Sequence, residues 1–311
     1  MKREEIKMEP LYDFVIKDEK VHSGALSCRG CGWSLLVRHL ASILGEETVY
    51  VVPASCFAII AGPYPMNEIK GSVIHTVFAA APATATGVRA ALDRQGKTDV
   101  AVVVLAGDGG TFDIGFQSMS GAASRGENIL YVVNNNGAYM NTGIQTSTAT
   151  PYGAVTTTNP GVGYKKSWPK DLMGIVGAHN IPYAATGSLA FMEDLRAKMV
   201  RARDTEGFRL LMIDGPCPPG HKTDPALSIS IGRLAVDTKM YPLFEIEHMK
   251  YKINYVPQGN YPVTDCMKLQ GRFKHLFKEG NEHILQDIQD HTDNTWSRLL
   301  AMEEMGHALS M

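Results

Sequence analysis

The stretch AVVVLAGDGGTFDIG, residues 101–115, narrows most what this chain can fold into. Six apolar residues lead across Gly107 to Asp108, and Gly109 and Gly110 follow directly. An unbroken apolar run of this kind predicts a strand buried on both faces, as in a parallel sheet flanked by helices. A carboxylate at the end of such a strand is costly unless it binds something. About 24 residues after Gly109 a second run, ILYVVNNNGAYMNTG, ends in the same manner, in an asparagine cluster. Two consecutive parallel strands then deliver an Asp and several Asn to one carboxyl edge, where open α/β sheets bind ligands.

Further apolar runs repeat the rhythm. Strands are predicted at 48–52, 73–78, 100–106, 129–133 and 209–214, and helices at 33–44, 83–94, 113–125, 189–203 and 281–308. The alternation predicts an α/β fold with a doubly wound, mostly parallel sheet. Residues 141–170, rich in Thr, Gly and Pro, read as a long ordered loop, and loops of that length are usually functional. After about residue 221 the rhythm fades. We therefore divide the chain into an α/β domain, 1–220, and an extension, 221–311, made of a hairpin near MYPLFEIEHMKYKINY and a helical arm.

With 311 residues and a formal net charge of −2, the chain carries no basic field for nucleic acid or an anionic membrane surface. No apolar run reaches the length of a bilayer span. The opening MKREEIKMEP has no apolar centre of a secretory signal, which predicts a cytoplasmic chain with cysteines reduced or metal-bound.

One carboxylate, one amide oxygen and a nearby backbone carbonyl suit Mg²⁺, with a diphosphate completing the shell. Gly109 and Gly110 let the backbone approach phosphates closely, and a following helix offers its N-terminus. Gly-Asp-Gly alone is a common turn composition. The asparagine cluster after its own strand is what favours a metal site over a turn. GVGYKK, 161–166, is a weak glycine loop that lacks a preceding strand and the third glycine of a dinucleotide site.

Five cysteines complete the inventory: Cys28, Cys31, Cys56, Cys217 and Cys266. Cys28 and Cys31 form CRGCG ahead of a predicted helix, whereas Cys56 and Cys217 each follow a predicted strand. Parallel strands would place Cys56 and Cys217 on the carboxylate edge, and the helix led by CRGCG could bring Cys28 and Cys31 there too. Such a set suits zinc or an iron–sulfur cluster, and an electron carrier belongs closer to chemistry than a structural zinc does. Cys266 reads as a core or surface thiol.

Taken together, CRGCG, PASC, AGDGGTFDIG, AYMNTGIQ, TATPYGA, PCPPG and IGRLAV resemble the β subunit of the 2-oxoacid:ferredoxin oxidoreductases, the pyruvate:ferredoxin group especially, over residues 24–250. The resemblance implies thiamine diphosphate, bound around Ser55, Cys56, Gly107, Gly109, Gly110, Asn136, Ala138, Tyr139, Met140 and Asn141. It implies Mg²⁺ on Asp108, the Asn136 side chain and the Ala138 carbonyl, with Asn135 as the alternative register. It implies a [4Fe–4S] cluster on Cys28, Cys31, Cys56 and Cys217, and a catalytic position for Asn141 near the thiazolium ring. An α-type partner subunit would supply the activating Glu and much of the substrate pocket. A further iron–sulfur subunit or domain would pass electrons to ferredoxin.

The substrate expected is a small 2-oxoacid. Relatives often carry acids where this chain has Asn135 and Gly137, and again near FAAAPATATG, 78–87. Fewer acids around the cofactor would suit a dianion, so oxalate is placed slightly ahead of pyruvate. Two rival classes are a non-redox thiamine enzyme half, which has no use for four thiols, and a zinc-braced binding protein, which has no use for Asp108 and Asn136.

Overall fold

The computed structural model describes residues 16, 19–160 and 163–308. The charged opening at 1–10 and the first two residues of GVGYKK lie outside them. The chain runs α1 (Gly32–Leu44), β1 (Thr48–Pro53), α2 (Cys56–Ala61), β2 (Ser72–Thr76), α3 (Ala81–Arg94) and β3 (Ala101–Gly107). A π-helical turn, Gly109–Asp113, leads to α4 (Phe116–Ser124) and β4 (Ile129–Asn135). After the long loop come α5 (Leu172–Gly177), β5 (Tyr183–Ser188), α6 (Met192–Asp204) and β6 (Phe208–Asp214). The remainder holds α7 (Pro218–His221), α8 (Ser228–Asp237), β7 (Phe244–Glu247), β8 (Lys250–Ile253), α9 (Val263–Met267), a 3₁₀ segment Gly271–Phe277 and α10 (Glu282–Ala308).

One eight-stranded sheet has the order β2-β1-β3-β4-β6-β5-β7-β8. The strands from β2 to β5 are all parallel, while β7 pairs antiparallel with both β5 and β8. β3 and β4 are buried along nearly their whole length, because apolar clusters cover both sheet faces. One joins Phe112, Met119, Leu172 and Trp296 with Val102 and Val104. The other joins Trp33, Leu36, Phe57 and Met199 with Val103 and Leu105. Edge strands β2 and β8 are largely exposed or half-buried, as only one neighbour pairs with each.

The expected hairpin is β7–β8. Its two-residue turn, His248–Met249, holds both residues at positive φ, 46° and 65°, as a tight turn matched to strand twist requires. Two expectations need correction. The helix predicted at 113–125 is a π turn followed by a shorter α4, since a Cβ on Gly115 would stand 2.1 Å from the Gly110 carbonyl oxygen. β5, YAATGS, was not foreseen as a strand. It is buried throughout, but its small residues carry no apolar periodicity. Among the described residues no helix is long and apolar enough to cross a membrane.

Candidate active site

Chain order reverses around β1, which has β2 on one side and β3 on the other. Ligand crevices form at such a point, outside the carboxyl ends of the strands. A pocket of about 70 Å³ lies there. Ser55 and Cys56 reach it from the loop after β1, Gly107, Asp108, Gly109 and Gly110 from the end of β3. Asn136, Ala138, Tyr139, Met140 and Asn141 reach it from the loop after β4. Every residue nominated from sequence for the cofactor thus lines one pocket. Trp33 and Phe78 also line it and were missed, since neither carries a polar signal.

The backbone at this pocket is fitted to close approach. A Cβ on Gly109 would stand 2.5 Å from two ring carbons of Tyr139. Gly109→Ala should therefore push Tyr139 into the pocket and weaken cofactor binding at least ~10-fold with the fold intact. Titration of thiamine diphosphate followed by Trp33 fluorescence checks this. Recovery in a Gly109→Ala/Tyr139→Ala double variant would confirm the steric cause.

Asp108 is 1% exposed. Burial pushes its carboxyl up to about 7, against the Ser147 hydrogen bond, which pulls it down. Ser147 donates to Asp108 Oδ2 at 2.5 Å, leaving Oδ1 turned toward Asn136. The outer end of the Asn136 carboxamide lies 2.8 Å from Asp108 Oδ1 and 3.1 Å from the Ala138 carbonyl oxygen. With its nitrogen turned inward, Asn136 donates to both. With its oxygen inward, three oxygens meet at the spacing of neighbouring ligands around an octahedral cation, ~2.9 Å for Mg–O bonds of about 2.0–2.1 Å. The first orientation suits the chain alone, and the second is a donor set that fits Mg²⁺.

Several groups that sequence reasoning passed over hold this loop in place. Thr150 donates to the Gly137 carbonyl at 2.8 Å. Buried Lys165 donates to the carbonyls of Thr148 and Thr150 at 3.1 and 2.6 Å. The His221 ring nitrogen Nε2 lies 2.8 Å from the Asn136 carbonyl oxygen. Ser147, Thr150 and Lys165 belong to the Thr- and Gly-rich loop, whose composition marked it as ordered without showing which side chains turn inward. Asn135 and Gly137 do not line this pocket. Both line a larger cavity, which Asn136 lines as well; Gly137 lies past the end of β4 at a φ of 75°.

Of the four nominated thiols Cys56 lines the pocket, and each of the four interacts electrostatically with at least one other. Cys31 caps the start of α1, and the Gly32 N–H donates to the Pro216 carbonyl at 3.3 Å. Ser228 Oγ donates to the Gly30 carbonyl at 2.8 Å. These contacts dock the CRGCG loop on the segment that carries Cys217. Burial pushes the Cys31 thiol up to about 11 and Cys56 up to about 12, and neighbouring cysteines push both the same way. Cys56 feels Cys217, Cys31 and Cys28, and Cys217 feels Cys28. All five cysteines are free. Among the described residues no three His, Cys, Asp or Glu side chains come together as a site for a metal ion. A four-iron cluster is larger than one ion and takes its four thiolates from further apart. Cys266 stands apart, 1% exposed, and accepts a hydrogen bond from Gln270 at 3.3 Å.

Met140 joins the two halves of the site. It lines the pocket, and a Cβ on Gly220 would stand 2.2 Å from its sulfur and 3.3 Å from Cys217 Sγ. Only glycine at 220 leaves Met140 room beside that cysteine.

Comparison with known proteins agrees with this geometry. The C-terminal TPP-binding domain of thiamine pyrophosphate enzymes matches residues 54–213, from the loop after β1 to the end of β6. The ketoisovalerate oxidoreductase subunit VorB of Pyrococcus furiosus is 42% identical over 299 residues, 93% of this chain and 94% of its own. The pyruvate synthase subunit PorB of Methanothermobacter thermautotrophicus is 41% identical over 286 residues, 91% of this chain and 98% of its own. A 2-oxoglutarate:ferredoxin oxidoreductase from Magnetococcus marinus shares the fold, with a TM-score of 0.60 and 22% identity over 90% of this chain and 97% of that one. A thiamine-domain match centred on the glycine-lined pocket, with relatives aligned over nearly their full length, places the chain in the β-subunit family of the thiamine diphosphate-dependent 2-oxoacid:ferredoxin oxidoreductases.

Proposed function

We propose that this β subunit holds Mg²⁺ on Asp108, Asn136 and the Ala138 carbonyl, and a [4Fe–4S] cluster on Cys28, Cys31, Cys56 and Cys217. With an α-type subunit, a further iron–sulfur carrier and ferredoxin, it oxidatively decarboxylates a small 2-oxoacid. One observation carries the reading: Cys56 both lines the cofactor pocket and shares an electrostatic neighbourhood with the other three thiols. A non-redox thiamine subunit has no use for that adjacency.

When bound, the cofactor supplies the electron sink for decarboxylation. The chain supplies the setting. Ser147 fixes one oxygen of Asp108 so that the other faces the metal. Gly109 and Gly110 would let the backbone approach the diphosphate, and Asn141, exposed where it lines the pocket, would lie by the thiazolium ring. Trp33 and Phe78 exclude water from its floor. The β7–β8 hairpin extends the sheet, α8, α9 and α10 roof the larger cavity, and the activating Glu comes from the α-type partner.

The relatives are named for pyruvate and ketoisovalerate, both monoanions. The case for oxalate rests on the neutral residues Asn135 and Gly137, which do not line the cofactor pocket, and on the missing acid in 78–87, a segment of which only Phe78 lines it. We therefore place pyruvate ahead of oxalate. Ferredoxin reduction by the anaerobically purified complex, with kcat/KM compared among pyruvate, 3-methyl-2-oxobutanoate and oxalate, tests this. Pyruvate should exceed oxalate at least ~10-fold, because a second carboxylate in a dry pocket costs more than one such factor. Oxalate turned over as well as pyruvate would restore the dianion reading.

A further inference from the structure

A second cavity, of about 320 Å³, lies beneath the metal-binding loop. Its volume falls within the ~300–1,000 Å³ typical of small-molecule sites. The carboxyl ends of β4 and β6 form its floor, and α8, α9 and α10 roof it. Its walls include Phe112, Met212, Met240, Phe244 and Phe273, and Lys170, Asp171, Lys239 and Arg298 also line it.

Two charged groups face this apolar space from its inner end. Asp214 closes β6 and keeps its free surface toward the cavity. Among the described residues its carboxylate has no hydrogen-bond or ion-pair partner. Burial pushes it up to about 7 despite the nearby Arg272 guanidinium. Arg272 donates through Nε to Gln270 Oε1 at 2.9 Å and stacks on Phe273, 5.1 Å from the ring centroid. Its Nη groups have no hydrogen-bond partner among the described residues. Leaving both groups unmatched in a low-dielectric interior is costly.

We propose that this cavity is a binding site for an apolar α-amino acid, its carboxylate held by the Arg272 fork and its ammonium by Asp214. A guanidinium fork matches a carboxylate in geometry. The adjacent anion repels a fatty acid or a phosphate but attracts a zwitterion, and the walls suit an aliphatic or thioether side chain. The cavity shares only Asn136 with the cofactor pocket. It touches the same loop, however, since Arg272 Nη1 packs against Gly137, 3.2 Å from where a Cβ would stand.

Calorimetric titration of the assembled complex with L-leucine and L-methionine tests the proposal without any turnover. Two half-ligands serve as controls: 4-methylpentanoate, which lacks the ammonium, and 3-methylbutylamine, which lacks the carboxylate. Both amino acids should bind, and each half-ligand should bind at least ~10-fold more weakly, the discrimination expected when a buried polar partner is lost. Asp214→Asn and Arg272→Gln should weaken leucine by a similar factor. Should those variants misfold, Ala235→Phe, which fills the apolar end of the cavity, should abolish binding while the complex stays assembled. No binding at millimolar leucine or methionine, or equal binding of the half-ligands, would overturn the proposal and leave a water-filled charge pair. Leucine binding that survives Ala235→Phe would also overturn it.

Discussion

Replacing Asp108 with Asn is expected to lower Mg²⁺-dependent thiamine diphosphate affinity at least ~100-fold while iron content stays unchanged. The magnitude follows from ligand chemistry: loss of an outer-shell partner already costs about 10–100-fold in metal affinity, and Asp108 is proposed as a direct ligand. A hundredfold loss corresponds to about 2.7 kcal/mol. The fold should survive, because the amide occupies the same space and accepts from Ser147. Asp108 is pushed up to about 7 in the folded chain, so its burial costs nothing at a pH below the ordinary carboxylate range. That cost grows as pH rises and is complete above about 7. Without cofactor, the Asn variant should therefore melt no lower than wild type above pH 7. Equilibrium dialysis and thermal melts together separate lost ligation from lost fold. Wild-type cofactor affinity in the variant would exclude Asp108 as a metal ligand.

The second large effect is expected at Cys217. Cys217→Ser should lose or degrade the cluster and cut ferredoxin reduction at least ~100-fold, while thiamine diphosphate affinity changes less than ~3-fold. The two ligand sets share no side chain, so the losses should separate. Cys266→Ser serves as the control. Its thiol is buried against Gln270, away from the other four, and iron content should not change. Anaerobic iron and sulfide analysis checks both variants. Loss of iron in Cys266→Ser with retention in Cys217→Ser would mean that the thiol set is wrongly chosen.

What sequence could show divides along physical lines. β3 and β4 were legible because a strand covered on both faces must be apolar without a break, and the polar residues ending each were then conspicuous. The cysteine loops were legible by position, two after strands and two before a helix. β5 was not, because its close packing depends on small residues. A Cβ on Gly187 would stand 2.7 Å from Leu195 Cδ1, so the strand is buried by what surrounds it. Ser147 and Lys165 were hidden by distance along the chain: Ser147 lies 39 residues from the carboxylate it orients. The side to which Asn135 and Gly137 turn was not legible, because Gly137 lies past the end of β4 at a φ of 75°, where strand alternation no longer holds.

The cavity behind the loop had no sequence signature. Asp214 and Arg272 come from β6 and from the 3₁₀ segment, separated by α7, α8, the hairpin and α9. Only tertiary packing turns both into one space.

The claim that cofactor and cluster act as one unit in this chain is tested most directly by anaerobic visible absorbance of the assembled complex on adding pyruvate. The account predicts brown protein with about four iron per β-subunit cluster site. Pyruvate should bleach it when thiamine diphosphate and Mg²⁺ are both present and leave it unchanged when either is withheld. Bleaching that is indifferent to thiamine diphosphate, or a Cys56→Ser complex that bleaches like wild type, would contradict it.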